Sequence, residues 1–255
     1  TVTHVGWRIL MKQCVVKSSG KREEIKFDKI TQRIKRQCRD LDMSYLIPTE
    51  VTRRVAESVV DGITTAEIDE LISQEAARMV TVHPDYSRLA ARILVTRWQK
   101  SIPSSFCDNL GRLYDHVDPV TGRHAPLVSS ELIQLTSNSK LSEHLERAIV
   151  HERDKDFDYF GLTTLARGYL KSIDGQPAET PQFMWMRVAL GIHGDDLESV
   201  LSCYEGLSTG RYIHATPTLF NAGTPRPQMA SCFLQSLADD SIDGIFSTYK
   251  QTAHI

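Results

Sequence analysis

Cys232 ends the run ATPTLFNAGTPRPQMASC, residues 215–232, in which Thr, Asn, Gly and Pro stand too close together for a sustained helix or an ordinary core strand. The segment Asn221-Ala222-Gly223-Thr224 and the two prolines after it predict irregular backbone whose N–H groups and hydroxyls are free to grip a polar ligand. Phe233 and Leu234 then read as the first apolar positions of a strand, which sets the Cys232 sulfur beside that ligand. The alternative is a small buried hydrophobe, the usual fate of a free cysteine, and spacing alone leaves both open. A second candidate is the lysine-bearing stretch 14–31. A turn there offers backbone N–H groups, and Lys17, Lys21, Arg22 and Lys29 offer positive charge for a phosphate, although a basic turn is also the pattern of a solvated hairpin edge. His83, before a proline, reads as a turn residue. No second His, Cys or carboxylate stands at ligand spacing with it, so no metal site is predicted.

The elements that position these groups follow from periodicity. CVVKSSGKREEIKFD, residues 14–28, has two β-favouring stretches around Ser-Ser-Gly-Lys and predicts a hairpin. Asp28 is placed to cap a helix whose Ile30, Ile34, Cys38 and Leu41 share a face. Pro48 stops the chain, Thr49 restarts it, and Val51, Val55 and Val59 repeat every fourth residue. Thr64 with Glu67 forms a capping box ahead of a stripe of Ile68, Leu71, Ile72, Met79 and Val80. Beyond the HPDY turn a fourth helix carries Leu89, Ile93 and Leu94 toward Lys100. SIPSSFCDN reads as a linker and HVDPVTGRHAPLV as a loop; helical patterns then occupy 130–151, 157–171, 180–193 and 195–208. From about Tyr212 short apolar snatches alternate with turn residues, as at strand-to-loop junctions beside an active site.

A chain of 255 residues accommodates two units. An apolar share of 41% and a charged share of 24% are those of a globular protein, and no apolar run approaches a membrane span of roughly 18 residues. The formal charge of -2 gives no drive toward nucleic acid, so a nucleotide ligand needs a local site. Cys14, Cys38, Cys107, Cys203 and Cys232 are odd in number, scattered, and without a C-x-x-C pair, which argues for reduced thiols in the cytoplasm and against a disulfide framework or zinc ribbon. TVTHVGWRIL lacks the parts of a signal peptide, and Met11 reads as the natural start, with ten residues of extension before it.

In order along the chain stand FDKIT (27–31), ITTAEID (63–69), HPDY (83–86), LAARI (89–93), DKDFDYFG (154–161), TPQFMWMRVALGIH (180–193), PTLFNAGT (217–224) and DDSIDGIF (239–246). Together they resemble the large, catalytic subunit of class I ribonucleoside-diphosphate reductase of the eukaryotic and viral type, in its amino-terminal portion, from about residue 12 to the last. The resemblance implies an α/β protein, mainly α in this portion. Residues 12–100 would be an ATP-cone, a β-hairpin capping a small helical bundle; residues 101–211 the helical amino-terminal region; and residues 212–255 the start of a ten-stranded α/β barrel. By position Lys17, Ser18, Glu23, Glu24, Ile25, Lys26, Phe27, Asp28, Lys29, Thr65, Asp69 and Lys100 correspond to contacts with the effectors ATP and dATP. Where the family commonly has Lys-Arg-Asp-Gly, this sequence has Lys17-Ser18-Ser19-Gly20. A phosphate-reading guanidinium is thus missing, and weakened inhibition is expected.

The same resemblance makes Cys232 one of a redox-active pair, Thr216 and Ser231 substrate contacts beside it, and Asp240, Ser241 and Ile242 part of the site that sets substrate specificity at the dimer interface. Two thiols within disulfide reach supply the two electrons that replace a ribose 2'-hydroxyl by hydrogen. Implied partners are a ribonucleoside diphosphate substrate, a second large subunit, thioredoxin or glutaredoxin as reductant, and a small subunit that carries the radical metallocofactor. Neither nucleic acid nor membrane is among them. The family's partner cysteine, thiyl-radical cysteine and proton-transfer Asn and Glu are expected beyond Ile255, so the chain alone is expected to be inactive: a fragment, a truncated product or half of a split enzyme. Two other readings compete. One is a non-catalytic ATP- or dATP-binding regulator, though of a kind without the zinc ribbon of ATP-cone repressors; the other is a non-functional product whose cut barrel exposes unpaired edges.

Overall fold

The structure, a computed structural model, describes residues 13–255. The expected start at Met11 and the preceding TVTHVGWRIL lie outside the described residues, as does residue 12 of the expected cone.

β1 (Cys14–Val16) and β2 (Arg22–Glu24) pair antiparallel, with Val15 opposite Glu23. The hairpin edge is completed by a short parallel strand, β3 (Ile63–Thr64), which pairing with Val15 and Val16 creates and local pattern does not announce. α1 (Phe27–Gln37) begins two residues earlier than Asp28 would allow as its cap. Lys26 is the N-cap, without a side-chain bond, and Asp28 lies inside the first turn, where its charge favours the helix N-terminus. Ile30, Ile34, Cys38 and Leu41 are buried as their spacing predicts. Pro48 starts α2 (Pro48–Ser58) rather than stopping the chain, because proline at the first helical position forfeits no intrahelical bond. α3 (Thr65–Arg78) opens on the capping box: Thr64 Oγ1 accepts from Glu67 N at 3.2 Å, and Glu67 Oε2 accepts from Thr64 N at 2.8 Å. Val80 leaves the expected stripe and is exposed, since α3 gives way to a 3-10 turn at Met79 and the face rotates.

α4 (Asp85–Ser101) joins two cores. Tyr86, Leu89, Ala90 and Ile93 pack with the hairpin and α1–α3. Ala91, Leu94, Val95 and Trp98, on the opposite side, belong to a second cluster formed with the helices that follow. The expected linker is mostly helix. Ser105 caps α5 (Phe106–Tyr114), and Phe106 is buried against Phe183, so its apolar contact decides what a polar-looking string left open. The pattern over 130–151 divides into α6 (Ser130–Thr136) and α7 (Ser139–Ala148), because Asn138 caps α7 with its side chain. α8 (Tyr159–Gly168) leads to a small antiparallel hairpin, β4 (Ser172–Ile173) and β5 (Gln176–Pro177), followed by α9 (Pro181–His193) and α10 (Leu197–Ser208).

Two expectations past Tyr212 are corrected. PTLFN is helical, within α11 (Thr216–Asn221). No strand lies among residues 212–255: Phe233 and Leu234 are exposed and without a ladder, since a strand needs a neighbour to bond. α12 (Ile242–His254) ends the fold, with Ser241 as its cap.

Candidate nucleotide cavity and thiol loop

The N-terminal ends of α1 and α3, the C-terminal part of α4 and the β1–β2 hairpin enclose a cavity of about 630 Å³, a size that suits a small-molecule ligand. Its floor is apolar, from Val15, Ile25, Ile30, Ile68 and Trp98. Its rim is cationic, from Lys17, Lys26, Lys29 and Arg33 on one side and Arg97, Lys100 and Arg112 on the other, against the carboxylates of Glu23, Glu24 and Asp69. Asp69 is buried and organises two of these cations: Arg33 Nη2 donates to it at 2.8 Å and Lys100 Nζ lies at 3.6 Å. Burial raises its pKa, and the charges of Arg33 and Lys100 oppose that rise. Lys17 Nζ stands 3.6 Å from Glu23, whose pKa is held down chiefly by its bond with Lys21 and then by the Lys17 charge. An apolar floor beneath a ring of cations is the chemistry for a base and a polyphosphate.

Of the residues expected at an effector site, Lys17, Ser18, Glu23, Glu24, Ile25, Lys26, Lys29, Thr65, Asp69 and Lys100 line this cavity. Phe27 and Asp28 do not: Phe27 packs on the core and Asp28 faces solvent. Arg33, Arg97, Trp98, Arg112 and Gln176 line it without having been foreseen. Arg33 follows Lys29 by one helical turn and Arg97 precedes Lys100 by three residues, so helical spacing could have found both. Arg112 and Gln176 come from α5 and β5, where only packing reveals them.

The thiol loop is built differently from expectation. The N–H groups of Ala222 and Thr224 and the Thr224 hydroxyl are spent on the protein, not left for a ligand: Ala222 N donates to Thr218 O at 2.9 Å and Thr224 N to Asn221 O at 3.0 Å. Arg187 Nη1 donates to Ala222 O at 2.7 Å, Ser129 N to Gly223 O at 2.9 Å, and Thr224 Oγ1 to Asn221 O at 2.8 Å. Arg187, fully buried, is matched by Glu179, which takes its Nε at 2.9 Å and Nη2 at 2.8 Å. A desolvated charge of this kind requires such bidentate pairing. α9 approaches so closely that only glycine fits at 191: a Cβ there would sit 2.3 Å from Gly223 N.

After the turn the chain runs back along α11. Asn221 Nδ2 donates to Gln228 O at 2.6 Å and Thr218 Oγ1 to Met229 O at 3.3 Å, which brings Ser231 and Cys232 toward the Thr216 end. Ser231 Oγ lies 3.6 Å from Cys232 Sγ, and Thr216 Oγ1 lies 3.2 Å from Tyr169 OH. Cys232 is exposed, which removes the buried-hydrophobe alternative, whereas Cys38 and Cys203 are buried and burial pushes the thiols of Cys38 and Cys107 up to about 11. Asp240 and Ile242 are exposed beside Ser241, whose Oγ accepts from Gly244 N at 3.0 Å. His83 is the turn residue expected, its Nδ1 accepting from Asp85 N at 3.2 Å.

Residues 13–101 match the family model of the ATP cone domain, and residues 155–227 that of the ribonucleotide reductase all-alpha domain. The chain is 47% identical over 241 residues to the ribonucleoside-diphosphate reductase large chain 2 of Saccharomyces cerevisiae, with 94% of this chain and 28% of that protein covered. The large subunit of Dictyostelium discoideum is 47% identical over 96% of this chain and 28% of its own length; that of Variola virus is 42% identical over 94% and 31%. Over nearly its whole length the chain is similar to one part of the ribonucleoside-diphosphate reductase large subunits. It spans about 30% of the length of the relatives it matches. Among the described residues no cluster of three or more His, Cys, Asp or Glu is placed to hold a metal, and no helix is long and apolar enough to cross a membrane. The cationic cavity lies within the ATP-cone match apart from Arg112, Gln176 and Pro177, which extend its wall into the helical region that follows.

Proposed function

We propose that this chain is the effector-sensing and thiol-bearing portion of a ribonucleoside-diphosphate reductase, with ATP or dATP in the cavity around Lys17, Asp69 and Lys100. Its parts would be an ATP-cone over 12–100, a helical region over 101–211 and the beginning of a barrel over 212–255. The observation that carries this reading is the cavity's make-up: an apolar floor for a base and cations for phosphates, inside the segment that matches the ATP cone. Cys232, exposed beside Ser231 at the end of the loop anchored to α11, is assigned as one of two thiols that reduce the substrate. Both thiols lose a hydrogen and become a disulfide, the ribose C2'–OH bond becomes C2'–H, and the hydroxyl leaves as water. The second thiol, the radical and its metallocofactor are assigned to the rest of the enzyme and its small subunit. Re-reduction of the disulfide is assigned to thioredoxin or glutaredoxin. Asp240, Ser241 and Ile242, at the start of α12, are assigned to the specificity site between two large subunits, and the enzyme to the cytoplasm, where its five free cysteines stay reduced.

Titration of ATP and of dATP into the 255-residue chain by calorimetry tests the central assignment. Lys17→Ala is expected to weaken ATP binding about tenfold, the loss of one charge-assisted contact of about 1.4 kcal/mol. Absence of ATP and dATP binding to the unaltered chain, or unchanged affinity in Lys17→Ala, would overturn it.

A further inference from the structure

One short segment, Tyr169–Thr180, touches both the cavity and the helix that carries Thr216. At its base the contacts to α11 are direct: Tyr169 OH lies 3.2 Å from Thr216 Oγ1, its ring packs 4.9 Å from that of Phe220, and Lys171 Nζ donates to Phe220 O at 2.8 Å. Burial holds the Lys171 pKa down, to about 8, with the Arg187 charge acting in the same direction. Glu179 accepts from Lys171 N at 2.8 Å and holds Arg187, which in turn holds Ala222 O. A backbone bond from Ala178 N to Lys171 O, 2.7 Å, closes the base of the hairpin. At its tip Gln176 Oε1 accepts from Arg97 Nη2 at 3.1 Å, and Gln176 and Pro177 line the cavity wall. Arg97 is also paired with Glu70.

We propose that Tyr169–Thr180 is a positioning bracket that carries the state of the cavity to the helix bearing Thr216, and that the Arg97–Gln176 bond is the contact a bound polyphosphate contests. The proposal rests on the reading of the cavity as a nucleotide site. A phosphate oxygen offers Arg97 a charge-assisted bond, stronger than one to the neutral amide of Gln176, so a nucleotide draws the guanidinium away and frees the tip. The base does not absorb the change. The ion pair of Arg187 with Glu179 is fully buried and bidentate, Arg187 also bonds the carbonyl of Ala222, and the neighbouring Lys171 bonds that of Phe220. The two arrangements, Arg97 on Gln176 or Arg97 on phosphate, therefore correspond to a tied and an untied bracket, and α11 with its glycine turn follows. Tyr169, Lys171, Glu179 and Arg187 act as positioning residues for Thr216 and the loop that leads to Cys232.

Hydrogen exchange read by mass spectrometry on the 255-residue chain, with and without saturating ATP, tests this. In the unaltered protein ATP is expected to slow exchange around the cavity and to raise it about threefold in 172–177 and 216–224, the loss of one modest tie. In Gln176→Ala the raised exchange should be present without ATP and should not rise further. In Lys171→Met, ATP should still raise exchange in 172–177 and leave 216–224 unaffected. Slowed exchange at the cavity with 216–224 unmoved in the unaltered protein, or an ATP response there that survives in Gln176→Ala, overturns the bracket and leaves the nucleotide site standing. No slowing at the cavity overturns both.

Discussion

At the residue scale the helical region is governed by charges taken out of water. Arg187 succeeds because Glu179 and two backbone carbonyls, those of Leu219 and Ala222, satisfy it, so its burial fixes where α11 ends. Asp154 is less well served. It is fully buried, its Oδ1 accepts from Gln182 N at 3.0 Å, and its Oδ2 has no partner. Burial pushes its carboxyl up to about 7, against the bond from Gln182 N. The unfolded chain releases this proton near pH 4 and the folded chain only near 7, so in between the folded state binds more protons and stability falls as pH rises. Asp154→Asn is expected to flatten that slope between pH 4 and 7, with little difference from the unaltered chain below it. Urea midpoints at pH 5 and pH 8 check this; an unchanged slope in the variant assigns the pH dependence to other groups.

Among elements, the decisive contact is between α9 and the turn after α11. Gly223 adopts φ 72, a left-handed conformation, and a Cβ there would meet Leu132 Cδ1 at 2.7 Å. Gly191 faces this turn from α9, and its missing Cβ is what lets the two backbones meet. Gly191→Ala places a methyl group against backbone atoms that no rotamer change can move. It is expected to destabilise the chain by about 1–3 kcal/mol and to loosen residues 222–224. A lowered urea midpoint with an unchanged slope, together with faster amide exchange in 222–224, checks the claim. An unaltered midpoint would show that the turn shifts without penalty.

Over the whole molecule α4 makes one unit of two cores. Leu89 and Ile93 face the hairpin bundle while Leu94, Val95 and Trp98 face the helical region, so neither core keeps its packing if α4 unfolds. Arg97 and Arg112 continue that junction into the cavity wall. The described chain is expected to unfold in a single cooperative transition, with tryptophan fluorescence and far-ultraviolet circular dichroism giving coincident curves. Two separated transitions would mean that the hairpin bundle melts by itself. After residue 230 the side chains of Phe233, Leu234 and Leu237, and of Ile245, Phe246 and Tyr249 on α12, are exposed, which makes an apolar surface at this end of the chain.

What the amino acids determined unaided was local. The hairpin, the Thr64–Glu67 capping box, the apolar faces of α1–α4 and the cationic character around Lys17 and Lys29 depend on neighbours a few residues apart, where spacing alone fixes which side chains meet. The helix at PTLFN, the helix within SIPSSFCDN and the far wall of the cavity were decided by tertiary structure. Thr218 and Asn221 look like loop formers until Met229 O and Gln228 O take their side-chain bonds, and Phe106 looks like linker until Phe183 covers it. Gln176 reaches the cavity from a hairpin 79 residues after Arg97, a meeting that no periodicity encodes because it exists only once the two cores have packed on α4.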